Sequence, residues 1–181
     1  MKKLISLSII FLVSLLSACS SPKYTISTDI TKYVEYIANV SFSTNCVFFP
    51  NLDDIPDTAA ISVKYIERTA FMARSKNLML TLSFSENDYF TYKDNLFSNY
   101  VFLNDPVIDD DEWVRIPEVE FNYSHLTIRV VDNDDFYYPM NFGMIGFSDD
   151  NYEIVLFMYF DSERDGITDM NKFMETEFPL N

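Results

Sequence analysis

One histidine (His125), two cysteines (Cys19 and Cys46) and two acidic runs are the side chains in this 181-residue sequence that could carry chemistry. A hydrolase needs a nucleophile, a base and a group that orients the base. His125 follows Ser124 in a stretch that reads as a hairpin turn, so it is expected to be a solvated turn residue. No Gly-x-Ser-x-Gly elbow, phosphate-cradling loop or His/Cys metal cluster is present. Pairs within Asp109-Asp110-Asp111-Glu112 could do acid–base work, but consecutive acids in a turn are ordinarily just solvated. No catalytic residue, bound metal or cofactor is therefore expected. Phe136-Tyr137-Tyr138-Pro139, flanked by Asp134 and Asp135, could contact sugars or cationic ligands through ring faces. Core and turn packing explains that cluster equally well.

The second acidic run is Asp161-Ser162-Glu163-Arg164-Asp165-Gly166-Ile167, continuing to Asp169. It resembles the start of an EF-hand calcium loop, with carboxylates at alternate positions and glycine at the sixth. The match then fails. Thr168 takes the usual aliphatic position, Lys172 stands where the bidentate glutamate belongs, and a strand precedes the run. It reads as a polar strand-to-helix connection ending in a Thr168 cap, with weak calcium binding as the alternative.

The N-terminal stretch is more specific. Met1-Lys2-Lys3 is basic, and residues 4–16 form an apolar run of about 13, inside the range of a signal-peptide core. A spanning helix needs about 20. Leu16-Ser17-Ala18-Cys19 follows, and it resembles the lipobox of bacterial lipoproteins. That resemblance implies cleavage before Cys19 and a diacylglyceryl group on its thiol. It also implies a signal peptide over residues 1–18 and a cell-envelope location, anchored to the membrane with the domain on the extracytoplasmic side. Residues 19–28 then form a lipidated N-terminus and polar tether, and 29–181 a single extracytoplasmic domain. Loss of Lys2 and Lys3 moves the formal charge from −15 to about −17. Nucleic acid is excluded as a partner by that charge, and a cationic peptide or protein is favoured. Once Cys19 is acylated, Cys46 is the only cysteine left, so no intramolecular disulfide forms. Its neighbours Val47-Phe48-Phe49 predict a buried, inert thiol.

The elements that must position these residues follow from periodicity. Ile30, Tyr33, Val34 and Ile37 recur at helical spacing behind Asp29, with a strand over residues 40–49 to follow. Residues 57–76 read as the longest helix, with Ala59, Val63, Ile66, Ala70 and Ala73 on one face. Leu78, Leu80, Leu82 and Phe84 then alternate as a strand. Hairpins are expected at residues 119–130, turning through Ser124-His125, and at 141–160, turning through Asp149-Asp150-Asn151. The near-continuous apolar run over residues 154–160 reads as a central strand. Residues 89–100 are open between helix and ragged strand, and residues 169–178 form a short helix with Met170, Phe173 and Met174 inward. The expected fold class is α+β: one long helix on a curved antiparallel β-sheet meander, plus a short C-terminal helix. It resembles cystatin-like and NTF2-like domains in outline only, which carries no function. The expected function is a lipid-anchored binding or interaction module, the alternative an envelope hydrolase using carboxylates.

Overall fold

Strand β10 (Glu153–Asp161) is the axis of the molecule. Its run Ile154-Val155-Leu156-Phe157-Met158-Tyr159 is buried throughout, alternate residues facing opposite sides. Only a strand covered on both faces can hold so unbroken an apolar run. A computed structural model describes residues 23–41, 48–70 and 73–180. The expected signal segment, Cys19 and Cys46 lie outside the described residues, as does most of the strand expected over residues 40–49.

Ten strands are present among the described residues. They are β1 (Lys23–Ser27), β2 (Ala60–Ala70), β3 (Ala73–Ser83), β4 (Val101–Phe102), β5 (Val107–Ile108), β6 (Val114–Ile116), β7 (Glu120–Tyr123), β8 (Leu126–Asp132), β9 (Asn141–Ser148) and β10. Eight form one antiparallel sheet in the order β1-β2-β3-β10-β9-β8-β4, with β7 also pairing β8. β5 and β6 make a separate two-stranded ribbon. The helices are α1 (Tyr33–Val40), α2 (Glu86–Asn99) and α3 (Met170–Glu177).

Register assigns the two faces. Leu156 pairs with Leu80 and Ile145, and Tyr65, Leu78 and Phe147 belong to the same side. There α1 stacks Tyr36 on Tyr65, with ring centroids 4.7 Å apart, and α2 lays Phe97 on Phe147 at 5.0 Å. Phe157, Tyr159 and Phe142 occupy the opposite face, where Phe173 and Phe178 close over them from α3 and its C-cap. The result is three layers, with helices on both sides of one sheet.

The expected α+β fold, with one long helix across a meander, is overturned. About 41% of the described residues are strand and 24% helical, and the longest helix among them has about 14 residues. Within residues 57–76, read as that helix, 60–70 are instead β2 and 73–76 the start of β3, paired from Ala60↔Ser83 to Ala70↔Ala73. The physical reason lies in the other periodicity of the same stretch. Val63 and Tyr65 bury on the face shared by α1, while Ile66 buries on the opposite one. The β-branched and aromatic residues among them suit a pleated surface better than a helix. Lys23–Ser27, inside the expected tether, is edge strand β1, running antiparallel to β2 from Lys23↔Thr69 to Ser27↔Tyr65.

Other expectations stand as read. Asp29 caps the turn leading into α1, accepting from Thr31 N at 3.1 Å. Both hairpins form at their expected turns, with Ser124 and Tyr152 in the left-handed region. α3 buries Met170, Phe173 and Met174. Its cap is Asp169, not Thr168, with the carboxylate accepting from Lys172 N at 2.9 Å. The open stretch 89–100 is helical through Asn99 in α2, capped by Ser85 and ending at the extended C-cap Tyr100. No helix among the described residues is long and apolar enough to cross a membrane.

Candidate functional site

Three segments singled out for chemistry converge on one cleft of about 400 Å3. Asp109 and Arg115 come from the β5–β6 ribbon, Phe136 to Met140 from the β8–β9 connection, and Arg164 and Asp165 from the β10–α3 connection. The aromatic loop is built by a local turn: Asn133 accepts from Asp135 N at 2.8 Å through its side chain and from Phe136 N at 2.9 Å through its carbonyl. Asn and Asp favour such turns because their short side chains bond the backbone two residues on. Tyr137 and Asn141 then exchange backbone hydrogen bonds of 3.0 and 2.9 Å across a cis Tyr138-Pro139 bond. Phe136 points inward against Phe48, and Tyr138 donates its hydroxyl to Val131 O at 2.6 Å. Burial pushes the Tyr138 phenol well above its ordinary value. Tyr137 is left 63% exposed, its ring available to a ligand.

The charged wall of the cleft is paired internally. Arg115 bonds both the Asp109 carboxylate and the Asp165 carbonyl. Asp109 also accepts from Trp113 N at 2.8 Å and Asp111 N at 3.1 Å. Those donors, the Trp113 amide first and then Arg115, hold its carboxyl below the ordinary range. Arg164 lies over the Phe173 ring at 5.4 Å and gives Nε to Gly166 O at 3.2 Å. Ile167 N donates to Arg115 O at 3.0 Å, strapping the acidic connection to β6. Asp161, where a calcium loop would begin, instead accepts from Glu163 N at 3.0 Å and Tyr159 Oη at 3.2 Å. Asp169 is occupied as the α3 cap.

His125 sits apart, at the end of β8 remote from the aromatic loop. Its Nε2 is 2.8 Å from Glu153 Oε1, and Ser124 Oγ is 3.2 Å from Nδ1. Serine, histidine and acid are thus adjacent, yet Ser124 lines neither of the two clefts that His125 borders. Glu153 reaches His125 from β10, a partner that no local pattern signals.

Two arrangements had no sequence signal. In the first, a groove of about 500 Å3 is bordered by Lys93, Phe97, Arg129 and Asp149. Lys93 Nζ lies 2.5 Å from Asp149 Oδ1, which also accepts from the Tyr89 hydroxyl. Arg129 stands 4.4 Å above the Phe102 ring and 3.1 Å from Glu120. In the second, Glu177 is only 1% exposed and is held by Arg68 at 2.9 Å, Asn77 Nδ2 at 3.0 Å and Arg164 at 3.7 Å.

Asp149 yields a pH prediction. The Lys93 ammonium and then the Tyr89 hydroxyl lower its carboxyl from the ordinary 3.8. A carboxyl depressed in the folded state stabilises fully above its unfolded value and loses that contribution as pH falls through the folded one. Wild type is therefore more stable than Asp149→Asn at neutral pH, and the gap shrinks as pH falls below 3.8. Urea midpoints across that range measure it, and a pH-independent gap would contradict the assignment.

No family model, curated protein or solved structure matches the chain.

Proposed function

We propose that this chain is a cell-envelope lipoprotein, cut before Cys19 and held by lipid on that thiol, whose domain is an acidic binding module for a cationic peptide or protein. The domain stands on the extracytoplasmic side. Because β1 starts at Lys23, the chain from Cys19 to the sheet spans at most about 14 Å. The domain therefore sits close against the headgroups, not at the end of a long tether.

The observation carrying the binding reading is electrostatic. Asp29, Asp88, Asp109 and Asp149 are all held below the ordinary carboxylate range by hydrogen-bond donors. A carboxyl serving as general acid is instead pushed upward by burial or a like charge. The formal charge of about −17 draws cationic segments toward the domain at long range.

Mass spectrometry of the N-terminal peptide from the membrane fraction tests the anchor. The expected peptide starts at Cys19 and carries acyl chains, and the protein stays with the membrane through a high-salt wash. Buried methylenes contribute about 0.8 kcal/mol each and are indifferent to salt. A bare Cys19 thiol, or another starting residue, would refute the lipoprotein reading.

A further inference from the structure

The β5–β6 ribbon carries apolar side chains on both of its faces, around a register shift that leaves Arg115 as its one charged strand residue. Ile116 on the inner face is fully buried and its partner Val107 partly so. A ribbon that merely covered a core would turn polar residues outward. Here the outer face presents Ile108, 56% exposed, directly opposite Val114, 46% exposed, with Trp113 beside them at 69%. These are large apolar side chains placed next to one another and left in solvent. Isolated exposed apolar residues need no explanation, but a contiguous group marks a contact surface. Tryptophan is the residue type that contributes most at such contacts.

The turn that displays them is held rigidly. Asp109 gathers Asp111 N, Trp113 N and Arg115, and its backbone carbonyl accepts from Glu112 N at 3.0 Å. Glu112 sits in the left-handed region at φ 63°. A turn already ordered costs little further entropy when a partner arrives. Its remaining acids, Asp110, Asp111 and Glu112, are exposed, and no cationic side chain lies within ion-pair distance of them among the described residues. The patch is therefore apolar at its centre and anionic along its rim.

We infer that this ribbon is the docking surface for a basic, amphipathic peptide segment of a partner protein. This rests on the binding-module reading and names where and what it binds. Charge complementarity selects the occupant. An anionic bilayer would repel the three carboxylates. A second copy on a two-fold axis would bring the same acids face to face. A segment alternating arginine with an aliphatic residue satisfies both halves. Its guanidinium groups meet the rim and the Trp113 face, while its aliphatic side chains cover Ile108 and Val114.

Trp113 is the only tryptophan in the chain, so its fluorescence reports on this surface alone. The full-length protein in neutral-lipid nanodiscs is titrated with a short alternating Arg-Leu peptide. An alternating Glu-Leu peptide serves as control, and calorimetry runs in parallel. The expected result is a saturable blue shift with the Arg-Leu peptide alone. Affinity drops about tenfold or more in the exposed-residue variants Asp110→Asn/Asp111→Asn/Glu112→Gln and Ile108→Ser/Val114→Ser. A shift of equal midpoint in those variants overturns the proposal. So does a shift on adding anionic vesicles without peptide, or a concentration-dependent shift in the protein alone. Calorimetric binding that leaves Trp113 unmoved overturns this surface but spares the binding-module reading. Absence of binding by both measurements removes both.

Discussion

Arg68→Leu lowers the unfolding free energy by about 3 kcal/mol, as expected when a buried carboxylate loses its main counter-ion. Glu177, at the end of α3, is almost fully enclosed against β2 and β3. Its Oε2 takes Arg68 at 2.9 Å and Asn77 Nδ2 at 3.0 Å, and Arg164 approaches Oε1 only to 3.7 Å. Asn77 also donates to the Glu177 carbonyl, so the same site locks the α3 backbone to the sheet. Removing Arg68 leaves a desolvated charge with one distant cation. Removing both charges is different: Arg68→Leu/Glu177→Leu is expected to recover much of the loss, because apolar residues of similar volume often replace a buried ion pair at little cost. Urea unfolding of wild type, both single variants and the double variant measures the coupling directly. A single-variant loss below about 1 kcal/mol would mean that Glu177 is hydrated after all.

Leu156→Ala and Phe157→Ala are each expected to cost roughly 3–5 kcal/mol, the range for emptying a tightly packed core site. The pair is diagnostic because the two residues are neighbours facing opposite ways. Leu156 lies between Leu80 and Ile145 on the face covered by α1 and α2. Phe157 lies against Phe178 with ring centroids 5.2 Å apart, on the face covered by α3. In a two-layer protein one of two adjacent strand residues would be solvated, and its truncation would cost no more than about 0.5 kcal/mol. Two large losses by chemical unfolding establish covered faces on both sides. One large and one negligible loss would contradict the three-layer packing.

The central strand was legible because residues 154–160 are apolar without interruption, a pattern that needs no knowledge of neighbours. Both hairpins were legible for a similar reason, since polar turn residues punctuate alternating runs. Helix α2 was not. Of its residues only Tyr89 and Leu96 bury, two positions seven apart, too few to set a periodicity. The hairpin of β2 and β3 misled because Ala59, Val63, Ile66, Ala70 and Ala73 imitate a helical stripe. Small residues at such spacing fit either element until a partner strand is present. The pairing of Val63 with Leu80 and Tyr65 with Leu78 decided the matter.

The cleft shows the same division. Asp109, Tyr137 and the 161–169 segment stood out by composition, but nothing in their spacing said that they share a wall. Ile167 bonding back to Arg115 O, and Arg115 to the Asp165 carbonyl, brought them together. Single-residue character was thus written in the chain: the acidity and the local turns at Ser124 and Asn133. Those depend on interactions within a few residues or on composition alone. The partners of Glu177 and His125 belong to the tertiary structure, because Arg68 lies 109 residues from Glu177 and Glu153 lies 28 from His125. Contacts at such separations are chosen by how faces close over the sheet, and that choice is energetic for the whole core, with no trace in any local pattern.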